Sequence, residues 1–412
     1  MTYPLTKRVQ SHIESVIVPP LAHIYRRMLG NTRFIAVTGS CGKTTTKELI
    51  ADILAQREST HRSFDSNNRY FSVARTLLEL RSAHRNCVFE LGASGPGSLD
   101  RSIALLRPHV AVVLTVGTDH FKAFRGADAV AAEKRKLVAA LDTGGIAVLN
   151  SDDAAVMAMA EGCRGQVLTF GFADRADVRG EIVSWRWPER LSLRVEHGDE
   201  QVVVKSQLLG AHSATPLLAA IATAVACGMR VADTVPAVER ASPIFGRMYA
   251  EAARGHVTFI HDHFKAPLWT METVVRFLGE ARAERRILLF GTLSDYGGSA
   301  YRRHVQLAKS ALDQVEHVVF CSRYAQSHLR KLRTRYAGRL HVFSDVQHAA
   351  AFMKTFVRRG DLVLLKGSHR ADHLERIVLQ YQSSVNCWRN ACGREVFCQH
   401  CDLRSTSASG DT

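Results

Sequence analysis

The chain has 412 residues, 46% of them hydrophobic and 23% charged, and it carries a net charge of +15. This length provides for two to three globular domains, and we expect a cytoplasmic protein, because no apolar run is long enough to span a membrane and the charged opening residues exclude a signal peptide. The positive charge would attract any anion, but the Lys and Arg residues are scattered without interleaved aromatic residues, so nucleic acid is not the expected partner.

Residues 1–32 predict a helical lead-in, because Ile13, Val16, Ile17, Leu21 and Ile24 recur at roughly helical spacing. The pair Pro19-Pro20 predicts a break into two short helices. Two interpretations remain open for this segment: it packs on the next domain, or it docks on a membrane surface through its basic and apolar residues.

Residues 33–235 predict an α/β domain with a parallel sheet. Apolar, β-branched runs suited to buried strands occur in FIAVTG, NCVFELG, HVAVVLTVG and GGIAVLN. Stretches with helical periodicity lie between them, in TTTKELIADILAQ, SVARTLLELRSA and DAVAAEKRKLVAAL. This alternation is the one that crossover helices between parallel strands require.

The sequence pattern of residues 236–382 predicts a second, smaller α/β domain. Its expected strands are VTFIHD, RRILLFG, HVVFCS, LHVFSD and DLVLLKGS. The remaining tail, residues 383–412, has neither helical nor strand periodicity, and its last residues have the composition of a disordered segment.

The segment VTGSCGKTTT predicts a phosphate-binding loop for ATP. It follows a strand and opens a helix, so backbone N–H groups of the turn and of the helix N-terminus can stabilise phosphate oxygens. In this interpretation Lys43 reaches the terminal phosphates and Thr44 binds Mg²⁺. The loop is shorter than a full Walker motif, which would have a Gly at position 37, where this chain has Val37. The residues expected to surround the phosphates are Gly39, Ser40, Cys41, Gly42, Lys43, Thr44 and Thr45.

This shortened loop and the motifs behind it resemble the Mur ligase family, ATP-dependent enzymes that join an amino acid or dipeptide to a carboxylate. The resemblance spans residues 33–380 and is greatest to the branch that adds D-alanyl-D-alanine. The positions that match family motifs are Glu90, His120, Lys134, Asn150, Asp152, Gly210, His212, Gly246, Arg247, Asp262, Lys366, Gly367 and Ser368.

The resemblance implies a P-loop central domain, a Rossmann-like C-terminal domain and an acyl-phosphate mechanism. It assigns catalytic roles to Lys43, Glu90, His120 and Lys134. It implies Mg²⁺ held by Thr44 and Glu90, a second Mg²⁺ at His120, and a carbamylated lysine at Lys134 that adds a metal ligand. Nucleotide contacts are expected from Arg247 and Asp262, and closure of the two domains would exclude water from the acyl phosphate.

Several departures from the family pattern bear on substrate and activity. Lys136 stands where the family has an acid, which leaves open whether Lys134 or Lys136 is carbamylated, and Lys265 replaces an Asn near the adenine. Only 32 residues precede the first strand, where peptidoglycan ligases carry a domain for a UDP-sugar. We therefore expect an amino acid, a peptide or a small acid as the substrate. The alternative is a catalytically weakened nucleotide-binding scaffold that recruits a protein partner through its tail.

Four cysteines in the tail suggest a structural zinc site. Cys387, Cys392, Cys398 and Cys401 lie within a short segment, and His400 is a potential substitute ligand. Unliganded thiols in a mobile tail are the alternative. The other five cysteines are isolated, so the sequence does not suggest a disulfide framework.

Overall fold

The computed structural model describes residues 5–118, 121–390 and 392–404. The chain divides into two compact units, the first made of Met1–Ser184, Leu191–Gln207 and His212–Ala241, and the second of Trp185–Arg190, Leu208–Ala211 and Ser242–Thr412. Within the described ranges, none of the helices combines the length and the apolar character needed to cross a bilayer.

The first unit contains a large sheet flanked by helices. The helices are α1 (Leu5–Met28), α2 (Lys43–Leu54), α3 (Tyr70–Glu79), α4 (Asp100–Leu106), α5 (Phe121–Phe124), α6 (Ala127–Ala139), α7 (Ala154–Met157), α8 (Ala214–Ala226) and α9 (Val231–Arg240). The strands are β1 (Arg33–Thr38), β2 (Thr60–Arg62), β3 (Asn86–Glu90), β4 (Val110–Val113), β5 (Ile146–Asn150), β6 (Gln166–Gly171), β7 (Val178–Ser184), β8 (Ser192–His197) and β9 (Glu200–Lys205).

The sheet has the order β2-β3-β1-β4-β5-β6-β7-β8-β9 and is parallel from β2 to β7. Strands β3 and β4 are buried at every position, as apolar strands covered on both faces must be. The predicted parallel α/β fold is confirmed. The antiparallel extension by β8 and β9 was not predicted; polar residues alternate with apolar ones in most of β8, whereas β9 contains three consecutive valines.

Helix α1 runs without a break through Pro19 and Pro20, so the predicted division into two short helices is wrong. The fixed φ of proline is compatible with a helix, and only the missing N–H groups and ring contacts oppose it. Packing offsets this cost: Ala22 is fully buried, and Tyr25 Oη donates to Leu80 O over 2.7 Å. These contacts favour packing on the first unit over membrane docking for this part of the helix.

The second unit contains a smaller sheet of order β10-β11-β15-β12-β13-β14, in which only β10 is antiparallel. The five strands predicted from the sequence are present, and β10 is an addition. The strands are β10 (Tyr249–Ala253), β11 (Val257–Asp262), β12 (Arg285–Phe290), β13 (His317–Cys321), β14 (Leu340–Phe343) and β15 (Asp361–Lys366). The helices are α10 (Met271–Gly279), α11 (Ala300–Leu312), α12 (Arg323–His328), α13 (Arg330–Arg335), α14 (Val346–Phe356), α15 (His369–Asp372) and α16 (Glu375–Gln382).

A buried ion pair joins the two central strands of this second sheet and gives a test of its packing. Arg285 Nε and Nη2 donate to the two carboxylate oxygens of Asp361 over 2.8 and 2.6 Å. Replacing Arg285 with Met leaves the Asp361 carboxylate buried without its cation, so we expect a loss of about 3–5 kcal/mol in unfolding free energy, measured by urea denaturation. The exposed Arg276→Met control should change the urea midpoint little, and an equal shift in both variants would contradict the prediction.

Candidate active site

The loop between β1 and α2 is held in a defined conformation by the segment that follows β4. Ser40 N donates to Thr115 O over 2.9 Å, and Ser40 Oγ accepts from Gly117 N over 2.6 Å. Gly42 has a φ of 79°, and a Cβ atom there would lie 2.6 Å from the Pro216 side chain. Only glycine fits this position, so the turn that directs the chain into α2 depends on it.

Lys43 lies over this loop at the start of α2. Its Nζ donates to Gly39 O over 2.8 Å, so the ammonium group lies beside the turn instead of extending into solvent. The first-turn N–H groups of α2, at Lys43, Thr44 and Thr45, have no acceptor within the helix. A cation and a helix N-terminus are therefore brought together, which is the arrangement that binds phosphate.

Thr44 and Glu90 form a buried pair next to the loop. Thr44 Oγ1 donates to Glu90 Oε2 over 2.7 Å, and Glu90 Oε1 accepts from Asn68 Nδ2 over 2.8 Å. Glu90 ends β3, directly opposite Val37 of β1, and this register places the carboxylate at the phosphate loop. A hydroxyl and a carboxylate are hard oxygen ligands, so the pair fits Mg²⁺.

Two residues that support this pair were not predicted. Asn68 fixes the Glu90 carboxylate, and the buried Lys47 donates to the carbonyl oxygens of Ser63 and Asp65 in the segment that leads to Asn68. Lys47 also pairs with Glu48 over 2.8 Å. The only sequence signal is its position one helical turn after Lys43, which does not distinguish a buried lysine from an exposed one.

Two lysines of α6 have different environments. Lys134 is buried, with 1% of its surface exposed. Lys136 is partly exposed, and its Nζ lies 2.7 Å from Asp100 Oδ1 and 2.9 Å from Glu133 Oε2. The hydrogen bonds that the Lys136 ammonium donates to Asp100 and then to Glu133 raise the pKa of Lys136. The extra positive charge is therefore neutralised by these two carboxylates.

Glu133 in turn holds the loop that follows β3. Its carboxylate accepts from Gly97 N and Leu99 N over 2.9 and 2.8 Å. Burial by itself would raise the pKa of Glu133, but these backbone N–H groups and the ammonium of Lys136 outweigh it, so the pKa is lowered. The residue is a loop anchor that the sequence analysis did not identify.

The Asn-x-Asp motif has a backbone-anchoring role. Asn150 Nδ2 donates to Leu114 O over 2.8 Å, and Asp152 accepts from Phe172 N. Val116 N donates to Asp153 Oδ2 over 2.8 Å. Asn150 and the unpredicted Asp153 thus hold the segment after β4, which itself anchors Ser40. His120, the predicted second metal ligand, lies outside the described residues.

Asp262 and Lys366 form an ion pair in the second unit. They are register partners at the carboxyl ends of β11 and β15, and Lys366 Nζ lies 2.7 Å from Asp262 Oδ2. Arg247 lies over the Phe264 ring at 3.9 Å, and its buried Nε has no hydrogen-bond partner among the residues described. The loops after β11 and β15 therefore present charged groups at one edge of the sheet, the usual ligand-binding edge of α/β domains.

Asp372, which was not predicted, ties the loops after β12 and β15 together. Its carboxylate accepts from Thr292 N and Ser368 N, each over 2.8 Å, and from Thr292 Oγ1 over 2.6 Å. Burial raises the pKa of Asp372, and these hydrogen bonds only partly offset that effect. Asp372 positions the Lys-Gly-Ser segment of residues 366–368.

The four tail cysteines border one cavity in the second unit. The wall of this cavity also includes His373 and three arginines, and its cysteine members are Cys387, Cys392, Cys398 and Cys401. All four are free thiols in the structure. The sequence analysis identified the cysteines but not His373, which comes from the segment before α16.

Models of two domains match most of the chain. Residues 37–224 match the Mur ligase middle domain, and residues 246–369 match the glutamate ligase domain of Mur ligases. The UDP-N-acetylmuramoyl-tripeptide--D-alanyl-D-alanine ligase of Mycobacterium tuberculosis is 29% identical over 364 residues, which cover 83% of this chain and 71% of the relative. The ligase of the same name from Escherichia coli K12 is 25% identical over 375 residues, covering 86% and 78%.

Solved structures show the same similarity. MurF from Acinetobacter baumannii superposes with a TM-score of 0.79 at 26% identity, covering 89% of this chain and 80% of the other. MurF ligase from Thermotoga maritima, solved in complex with ADP, gives a TM-score of 0.77 at 23% identity and covers 89% and 83%. At 23% identity, the similarity to the Thermotoga maritima enzyme shows a shared fold and nothing more.

Proposed function

Because this chain belongs to the Mur ligase family of ATP-dependent amide-forming ligases, we propose that it joins the carboxylate of an amino acid, a peptide or another small acid to an amine. The observation that carries this proposal is the group formed by Lys43 and the Thr44–Glu90 pair at the phosphate loop. The ADP bound to the related ligase from Thermotoga maritima supports nucleotide binding by this fold.

The chemistry proceeds in two steps. A carboxylate oxygen of the acid attacks the γ-phosphorus of ATP, the bond to the β-phosphate oxygen breaks, and ADP leaves. The amine nitrogen then attacks the acyl carbon, inorganic phosphate departs, and the nitrogen loses a proton. Lys43 and the N–H groups at the start of α2 stabilise the negative charge on the phosphoryl group during the first step.

Thr44 and Glu90 would hold Mg²⁺, which neutralises phosphate charge when bound. Their oxygens are 2.7 Å apart, and Asn68 fixes the carboxylate orientation, so the ligands are arranged before the ion arrives. In the second unit, Asp262 binds the ribose. Its Oδ2 accepts a hydrogen bond from Lys366 Nζ. Its Oδ1 would accept a hydrogen bond from a ribose hydroxyl group. The guanidinium group of Arg247, whose buried Nε has no hydrogen-bond partner among the described residues, would make a further nucleotide contact.

We assign the carbamylated position to Lys134. A lysine reacts with CO₂ as the neutral amine, and the two carboxylates beside Lys136 favour its charged form. Lys134 is buried, with 1% of its surface exposed, and it is the position to which the family resemblance assigns the carbamate. With ¹³C-bicarbonate, we expect a carbamate carbon signal in the wild type and in Lys136→Arg, and its loss in Lys134→Arg. A signal that disappears only in Lys136→Arg would reverse the assignment.

An isotope experiment tests the reaction. The protein is incubated with ATP, Mg²⁺, pooled amines and carboxylic acids labelled with ¹⁸O in the carboxylate. We expect phosphate release only when acid and amine are both present, one ADP per amide product, and one ¹⁸O atom in the released phosphate. Label recovered in AMP would contradict the acyl-phosphate mechanism.

The choice of acid pool tests the substrate class. One pool contains amino acids, peptides and small acids, and the other contains UDP-muramoyl tripeptide. Turnover with the first pool is expected. Turnover with the second alone would contradict the substrate class while leaving the ligase mechanism intact, and nucleotide binding without turnover in either pool would favour the scaffold alternative.

A further inference from the structure

The described part of the C-terminal tail, residues 383–390 and 392–404, is attached to the rest of the second unit by specific hydrogen bonds. Arg376 Nη1 donates to the carbonyl oxygens of Cys387 and Arg389 over 3.3 and 3.1 Å. Glu375 Oε1 accepts from Cys398 N over 3.0 Å. Arg376 and Glu375 are both buried. The tail therefore follows a defined path, although its own composition predicts no packed core.

Phe397 is the apolar anchor of the tail. Its ring centroid lies 4.3 Å from that of His369 and 4.8 Å from that of Phe245. A Cβ atom on Gly246 would lie 3.1 Å from the Phe397 ring. The tail thus covers the turn that leads directly into Arg247.

His373 and Arg394 contact three of the sulfur atoms around the cavity. Cys392 Sγ lies 3.1 Å from His373 Nε2, and Cys398 Sγ lies 3.5 Å from His373 Nδ1. Arg394 Nη1 lies 3.7 Å from Cys401 Sγ. His373 is almost completely buried, with 1% of its surface exposed. The imidazole lies between two sulfur atoms, and its Nδ1 is also 3.3 Å from Glu375 Oε1, so this buried polar group has specific partners in the tail and in α16.

The charge around the cavity suits a metal ion held by thiolates. Arg376, Arg389 and Arg394 all line its wall together with the four cysteines. Four thiolates around one Zn²⁺ carry a net charge of about −2, which these guanidinium groups would offset. The cysteine spacing, Cys387-x4-Cys392 and Cys398-x2-Cys401, lies within the range of structural zinc sites.

The four cysteine sulfur atoms do not lie close enough together in the structure to bind one metal ion. Among the residues described, the groups of three ligand atoms within 4.8 Å are His263, His369 and Glu375, and His373, Glu375 and Cys398. Only one tail cysteine belongs to them. A tetrahedral zinc site places sulfur atoms roughly 3.8 Å apart, so binding would draw the other three thiolates inward.

We propose that Cys387, Cys392, Cys398 and Cys401 bind one Zn²⁺, that His373 positions two of the thiolates, and that the metal holds Phe397 on the turn before Arg247. His373 acts from outside the ligand shell, through its contacts to Cys392 and Cys398. Hydrogen-bonding groups outside the ligand shell commonly orient the ligands of a metal ion. The zinc site is separate from the phosphate loop and does not depend on the proposed reaction.

Metal content is the first test. Protein purified under reducing conditions should contain about one zinc per chain by elemental analysis, and Cys398→Ser less than about 0.2. Cys163→Ser, which changes an isolated cysteine of the first unit, should keep the full amount. Zinc below about 0.2 per chain in the wild type, or stoichiometric iron with acid-labile sulfide, would overturn the proposal.

The wild-type protein tests the structural role even if a cysteine variant does not fold. Removing zinc with a chelator should lower the melting temperature by about 5–10 °C. It should also speed trypsin cleavage after Arg389 and Arg394, whose side chains are already exposed, because the tail backbone loses its fixed path. Added zinc should reverse both changes. Equal trypsin resistance with and without metal would overturn the proposal.

Variants of His373 and Phe397 distinguish the orientation of the thiolates from the packing of the tail. His373→Gln should weaken zinc binding by about 10–100-fold in competition with a chelator. Phe397→Ala should retain zinc while the tail becomes susceptible to trypsin. Unchanged zinc affinity in His373→Gln would exclude its role in orienting the thiolates.

Discussion

Replacing Lys43 with Ala is expected to lower the rate of phosphate release by roughly 10³-fold or more at saturating substrates. The ammonium group is the cation at the phosphate loop, and its hydrogen-bond partner among the described residues is the carbonyl of Gly39. Losing that contact costs the fold little, because the carbonyl can bond to water. The effect should therefore fall on turnover, measured with the acid and amine pair identified by the isotope experiment.

Matched variants show whether the position or merely the charge matters. Lys43→Arg should remain strongly impaired, because the planar guanidinium cannot occupy the space of a compact ammonium over the turn. Lys309→Ala, an exposed change on α11, should retain full activity. Circular dichroism and melting temperature should match the wild type in all three variants. A Lys43→Ala protein with more than about a tenth of normal activity would contradict the mechanism.

The phosphate loop could be predicted from sequence because its parts are adjacent in the chain. The strand, the two glycines and the helix start follow one another between Arg33 and Leu54, and each has a local signature. Glu90 was placed by family resemblance, and the structure supplies the physical reason, since it is opposite Val37 in the sheet. Its partner Asn68 lies in an irregular segment that no periodicity describes.

The different environments of the two lysines of α6 could not be predicted from sequence, because they depend on contacts across the fold. Lys136 is paired with Asp100, which is 36 positions away, whereas Lys134 is buried on the other side of the helix. Helical spacing shows that the two side chains point in different directions. It does not show which direction faces the core.

The histidines around Glu375 were missed for the same reason. His263 follows β11, while His369 and His373 come more than 100 residues later. The pairing of β11 with β15 brings the two segments together. A cluster assembled by strand pairing has no spacing signature, although several histidines close to a cysteine-rich tail were a compositional hint.

Replacing Glu90 with Gln is expected to reduce turnover by roughly 10²-fold and to raise the Mg²⁺ concentration needed for half-maximal activity. Gln keeps the shape and one oxygen acceptor, so Asn68 can still donate to it, and the Thr44 hydroxyl can reverse its bond to accept from the amide. The fold should lose no more than about 1 kcal/mol. What disappears is the negative charge that binds the cation.

Magnesium titration distinguishes this role from simple support of the loop. If Glu90 binds the ion, high Mg²⁺ should restore part of the activity of Glu90→Gln but none of that of Lys43→Ala. Asn68→Ala keeps the charge and removes only the hydrogen bond seen at 2.8 Å, so its loss of activity should be smaller and its Mg²⁺ dependence closer to normal. An unchanged Mg²⁺ requirement in Glu90→Gln would mean that the carboxylate only fixes Thr44 and Asn68, and the ion would then need other ligands.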